Sequence, residues 1–144
     1  MIWLLRHGDA EDDADDDAAR ALTQPGREQA EAAGRALACM GVELDACLAS
    51  PKVRAADTAA ITCRALGLEP ERTDALRGGD FDPAEMAAGR ENVLLVGHEP
   101  DFSRAIAIAT GGRVKLGKGG LAAIDGATLV VLMRPDELSA IAGR

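Results

Sequence analysis

A chain of 144 residues, 47% of them hydrophobic, can bury one sizeable core, so a single domain over residues 1–144 is expected. A formal net charge of −8 repels a phosphate backbone, and one Trp, two Phe and no Tyr offer few base-stacking surfaces, so nucleic acid is excluded as a partner. Cys39, Cys47 and Cys63 have no C-x-x-C spacing and follow no signal-peptide pattern, so they read as reduced packing residues of a cytoplasmic protein; the apolar runs are too short for a membrane span.

The run "MIWLL", residues 1–5, has the length of a buried strand, and Gly8 punctuates it. Arg6 and His7 therefore fall where the chain leaves the sheet. "EDDADDD", residues 11–17, has no apolar periodicity and reads as an exposed loop. Thr23 and Pro25 signal a helix start, and Ala30, Ala33, Leu37 and Met40 recur at helical spacing before Gly41. A second strand is expected at "LDACLAS", residues 44–50. Ser50 and Pro51 then read as cap and first residue of a helix running through Val53, Ala56, Ala60 and Cys63 toward Gly67.

Residues 69–82 are irregular and polar, and 83–89 form a short helix. "NVLLVG", residues 92–97, is the third strong strand, followed by a helix from Pro100 to the Gly111–Gly112 pair. "VKLGKGGLAAID" reads as a glycine-rich edge hairpin, "ATLVVLM" as the last strand, and "PDELSAIA" as a terminal helical turn or two. This alternation predicts an α/β fold, a three-layer α/β/α sandwich on a mainly parallel central sheet.

Three strand ends carry unusual residues: Arg6-His7-Gly8, "SPKVR" with Arg54, and Gly97-His98-Glu99-Pro100. A parallel sheet brings such ends to one face, where α/β folds keep their ligand crevice. Both histidines of the chain lie at these ends. Zinc needs three or four ligands and would be opposed by the arginines, so no metal and no cofactor is expected. Phosphate fits better. Guanidinium forks match phosphoryl oxygens, the first turn of a helix favours an anion, and a neutral imidazole can attack phosphorus in line.

In order along the chain, "LLRHGDA", "LTQPGREQA", "SPKVRAADTA" and "LLVGHEPDFS" resemble the successive motifs of the histidine phosphatase superfamily, with its phosphoglycerate-mutase-like fold. The short length is similar to its SixA-type branch, the phosphohistidine phosphatases. The resemblance implies that His7 is a nucleophile phosphorylated on a ring nitrogen, that Arg6 and Arg54 clamp the phosphoryl oxygens, and that His98 contacts the same oxygens. Gly8 matches the motif glycine and is expected to let the backbone turn sharply beside the phosphate. The implied partner is a phosphorylated protein of phosphorelay type, or else a small phosphorylated substrate; a binding module without turnover is the rival of a different class. The oligomeric state is not fixed by the sequence.

Mutase-like members carry a glutamate acid after the second helix, whereas here the region reads "DALRGGDFD", with Arg77. An imidazole, with a pKa of roughly 6.5, leaves more readily than an alkoxide, so a missing acid favours phosphohistidine. Glu99, Asp80 and Asp82 remain candidate acids, and Glu99 a candidate substrate contact. The acidic run 11–17 follows the nucleophile and is a candidate overhang that repels small polyanions and meets a basic protein surface. Arg20 is a candidate pocket residue, and Thr58 and Ser50 are expected to organise the second helix.

Overall fold

In the computed structural model, which describes residues 1–143, the opening apolar run becomes strand β1 (Ile2–Arg6) at the interior of a six-stranded sheet. Arg144, the last residue of the expected domain, lies outside the described residues. The remaining elements are α1 (Gln24–Cys39), β2 (Ala46–Ala49), α2 (Val53–Arg64), β3 (Glu71–Arg72), α3 (Pro83–Ala87), β4 (Val93–Gly97), α4 (Asp101–Thr110), β5 (Leu121–Asp125), β6 (Thr128–Met133) and α5 (Pro135–Ile141). Short 3-10 turns cover Asp17–Ala19 and Asp74–Leu76.

The strand order is β3-β2-β4-β1-β5-β6. The first four strands run parallel, and β5 and β6 join antiparallel. Buried on both faces, the central strands are continuous aliphatic runs, as a covered parallel sheet requires. Alternate residues face two layers. Trp3, Leu5, Cys47, Leu94 and Val96 pack with Ala33 and Leu37 of α1, Ala55 and Ala59 of α2, and Leu138 of α5. Leu4, Leu48, Val93 and Leu95 pack with Ala87 of α3 and with Phe102 and Ile106 of α4. The expected three-layer α/β sandwich is the observed one.

Thr23 caps α1 by accepting from the Gly26 N–H at 3.1 Å, and Gly111 ends α4 in the left-handed conformation. Local expectations change: residues 69–82, expected to be irregular, hold the short strand β3 beside β2, and Cys39, expected to pack, is exposed at the end of α1. Helix α2 starts at Val53 with Lys52 as its cap residue, because the buried Ser50 is drawn into the sheet ladder and toward His98, so Ser50-Pro51 form a turn ahead of the helix. The edge hairpin is β5–β6, closed at Gly126, while residues 113–120 form a loop that returns across the strand ends. Its backbone bonds go to β1 and His7, with Arg6 N–H donating to Gly120 C=O and Gly119 N–H to His7 C=O, each at 3.0 Å.

Alanine-rich faces let α1 and α2 approach closely. Thr62 Oγ1 donates to Ala30 C=O at 3.0 Å, and a Cβ on Gly34 would collide with the Thr62 carbonyl oxygen. Gly34→Ala is expected to lower unfolding stability by about 1–2 kcal/mol, overpacking outweighing alanine's better helix propensity. Urea titration reads the difference; an unchanged midpoint would mean that the two helices separate at no cost.

Candidate active site

Strands β2, β4 and β1 end side by side. Their registers set Arg6 beside Gly97 and Ala49 beside Val96. The ladder continues one step further, through His7 N–H to Gly97 C=O and Ser50 N–H to Val96 C=O, each 3.0 Å. His7, Ser50 and His98 therefore leave the sheet together. The two imidazole centroids lie 5.3 Å apart, tilted by 55°.

Beside them is a cavity of about 220 Å³ lined by Arg6, His7, Arg54 and His98, the four residues the sequence singled out, and by Glu99. Arg20, Lys52, Arg77, Lys118 and Asp101 also reach it. Larger hollows, one of about 500 Å³ between α2 and residues 67–70 and one of about 300 Å³ between α1 and α2, include neither histidine, so the chemistry belongs to the smaller one. Among the described residues no group of three or more His, Cys, Asp or Glu is placed to hold a metal ion.

His7 is 5% exposed, and its Nδ1 lies 2.7 Å from the Gly8 carbonyl oxygen. A carbonyl only accepts, so this bond puts the proton on Nδ1 and leaves the Nε2 lone pair as the ring's nucleophile. Burial pushes the His7 pKa down to about 4; the Gly8 bond opposes this, and Arg54 and Arg6 add to it. His98 falls to about 3 through burial first, then through His7 and Arg54. Both rings are neutral at pH 7.

Arg6 Nη1 donates to Leu116 C=O at 2.9 Å, which fixes one side of its guanidinium. Arg54, at the second position of α2, donates from Nη1 to Asp17 C=O at 2.8 Å and from Nη2 to the Asp17 carboxylate at 3.2 Å. His98 Nε2 shares a 2.8 Å hydrogen bond with the Ser50 hydroxyl. Four buried side-chain polar atoms lack a partner among the described residues. Three belong to this site: Arg6 Nε, Arg54 Nε and His98 Nδ1; the fourth is Trp3 Nε1. Buried polar atoms are seldom left unpaired, so their clustering marks a place suited to a hydrogen-bonding ligand.

Gly8 stands behind the pocket and serves a different need from the one expected. Its φ is not left-handed, but a Cβ there would sit 2.5 Å from the Gly26 carbonyl oxygen, so the loop after β1 lies flush on the first turn of α1. Its N–H donates to Thr58 Oγ1 at 3.1 Å, and Thr58 Oγ1 donates to Arg54 C=O at 2.7 Å. Thr58 thus ties the loop after β1 to α2.

The candidate acids part company. Asp82 caps α3 by accepting from Ala84 N–H at 2.9 Å, and Asp80 pairs with Arg104 at 3.3 Å; neither lines the cavity. Glu99 lines it, but its oxygens accept from Ser103 N–H at 2.7 Å, from Leu116 N–H at 3.1 Å and from the Ser103 hydroxyl. Sequence reasoning missed Lys52, Lys118 and Asp101 as lining residues. Lys52 sits inside the quoted "SPKVR" and was within reach of the same argument; Lys118 comes from the returning loop, whose path local patterning does not encode.

A family model described as the histidine phosphatase superfamily (branch 1) matches residues 2–101. A solved structure of the protein histidine phosphatase SixA complexed with tungstate is 26% identical, with a TM-score of 0.82, covering 95% of this chain and 98% of that one. The SixA structure from Agrobacterium tumefaciens is 24% identical with a TM-score of 0.81, covering 93% and 97%, a likeness of fold. Among curated relatives, the mitochondrial serine/threonine-protein phosphatase Pgam5 of Drosophila melanogaster is 39% identical over 71 residues, which is 49% of this chain and 25% of that protein. The matched stretch thus spans about a quarter of the length of such relatives.

With two histidines in the chain, ring resonances are simple to follow by NMR. Both should titrate below pH 5, following the lowered values of about 4 for His7 and about 3 for His98; a midpoint near the ordinary histidine value would contradict their burial. An unfolded histidine takes up its proton near pH ~6.5, so the unfolded chain binds more protons below that pH. Stability should accordingly fall as pH drops from about 6.5 toward about 4, the value to which His7 is pushed.

Proposed function

The chain belongs to the histidine phosphatase superfamily, and on that premise we propose that it removes phosphoryl groups from protein phosphohistidine through a phosphorylated His7. The observation that carries the reading is the His7 ring: neutral, held by its Nδ1–H on the Gly8 carbonyl, and lining one cavity with Arg6, Arg54 and His98. Support for the substrate class comes from the likeness to SixA over nearly the whole of both chains and from the commitment of Glu99 as an acceptor.

In this mechanism the Nε2 lone pair of His7 forms a bond to phosphorus as the phosphorus–nitrogen bond of the substrate breaks. The electron pair goes to the departing ring, which leaves as neutral imidazole because its other nitrogen carries a proton. Arg6 and Arg54 hold the equatorial oxygens, where charge spreads in the transition state. His98 Nδ1 donates to one of them once the Ser50 hydroxyl donates to Nε2. Water then attacks the phosphorus: an oxygen–phosphorus bond forms as the phosphorus–Nε2 bond breaks, the electron pair returns to the His7 ring, and inorganic phosphate and a proton are released. The partner is a phosphorylated protein.

Rapid-quench labelling from a phosphohistidine protein should trap an acid-labile, alkali-stable phosphate on His7. His7→Ala should abolish it, and Arg54→Ala should slow turnover by about 100-fold, the scale of losing one transition-state donor. A fully active His7→Ala variant would refute the mechanism. Faster turnover of sugar phosphates or phosphoserine peptides than of phosphohistidine would refute the substrate class.

A further inference from the structure

The acidic run is held in a defined shape. An antiparallel bridge joins Ala10 to Leu22, Glu11 N–H donates to Ala21 C=O at 2.8 Å, and Arg20 Nε donates to Glu11 C=O at 2.7 Å. The segment therefore closes at its neck. Its 3-10 turn, Asp17–Ala19, meets the start of α2. There one Asp17 carboxylate oxygen lies 3.2 Å from Arg54 Nη2 and 3.4 Å from Lys52 Nζ, and the other lies 3.2 Å from Arg20 Nη1. Three of the cavity's cations thus converge on one carboxylate, although its side chain is 58% exposed.

A carboxylate bridging a guanidinium and an ammonium occupies donors of the kind a phosphoryl group uses. Resting on the phosphatase reading of this pocket, we propose that Asp17 is a specificity-determining residue. It is a tethered anion that competes with phosphate for Arg54 and Lys52, and yields to a phosphoryl group presented on a basic surface more readily than to a free anion.

The physical case has two parts. Asp17 is exposed enough to swing into water, and what its displacement costs is chiefly the pair with the buried Arg54, a cost that an incoming phosphoryl group on the same guanidinium offsets. Its bond to Arg20, and then those to Arg54 and Lys52, hold its carboxyl down at about 2, so it is an anion at any working pH. Displacement then frees its charge on a segment that also carries the exposed Asp12, Asp13, Asp15 and Asp16. A free phosphate dianion meets that field unaided. A phosphoryl group flanked by Lys or Arg brings the countercharge that the displaced carboxylate and its neighbours require.

Asp17→Asn is the direct probe, because it removes the charge and keeps the backbone carbonyl that Arg54 also uses. Calorimetric binding of inorganic phosphate at low salt should be about five- to tenfold tighter for Asp17→Asn than for the wild type, and converge at high salt. Asp13→Asn, exposed and without a partner in the clamp, should stay within about twofold of wild type. Equal or weaker binding by Asp17→Asn would overturn the proposal, since the carboxylate would then be supporting Arg54.

Two phosphohistidine peptides, one flanked by Lys and one by Glu, form the second arm. Wild type should favour the Lys-flanked peptide in kcat/KM, and Asp17→Asn should narrow that preference; an undiminished preference would also overturn the proposal. If neither peptide is turned over while the phosphate affinity still shifts, the phosphohistidine reading falls and the competition by Asp17 stands.

Discussion

Parallel pairing of β4 between β1 and β2 is the constraint on which the site depends. Each residue of register is worth about 3.3 Å along a strand, and a slip of one also reverses which face each side chain meets. Register is pinned by the aliphatic residues buried on both faces, so the packing that builds the core also sets the 5.3 Å between the His7 and His98 rings. The same logic continues into the loops. Gly8 lies flush on Gly26, and Thr58 joins Gly8 to Arg54, so β1, α1 and α2 brace one turn of backbone.

Charge is organised around that turn with little left to chance. An acidic chain concentrates six cations on one small cavity and anchors most of them: Lys118 to Asp9 at 3.0 Å, Arg77 to Asp74 at 3.9 Å, and Arg20, Lys52 and Arg54 to Asp17. Arg6 is held differently, by a carbonyl of the returning loop, and Glu99 accepts from the N–H of that same Leu116. A carbonyl orients a guanidinium without cancelling its charge. Arg6 is thus held at the cavity as an oriented cation, with the Glu99 carboxylate near enough to interact with its charge.

Strands and helices were legible where one pattern dominated: unbroken aliphatic runs for β1, β2 and β4, and alanine at helical spacing for α1 and α2. His7 and His98 were legible because each sits just past such a run, and Arg54 because it opens the helix that follows β2; a parallel sheet gathers these strand ends. What the sequence concealed was set by contacts distant in the chain. The start of α2 moved because Ser50 is shared with the sheet and His98, and residues 113–120 took their path from bonds to β1. Among five aspartates in a row of seven residues, nothing local distinguishes Asp17; its neck and its turn do.

The carboxylates around the pocket bear on which leaving group it can expel. A phosphate ester releases an alkoxide and needs a positioned acid, whereas a phosphohistidine ring protonated on its other nitrogen carries its own proton to departure. Here Asp80 and Asp82 are spent on an ion pair and a helix cap, and Glu99 accepts from the α4 backbone and the returning loop. Asp101 reaches the cavity from the first turn of α4, where a negative charge complements the helix dipole. Asp80, Asp82 and Glu99 are thus tied into the surrounding structure, in keeping with the proposed substrate, whose leaving group brings its own proton.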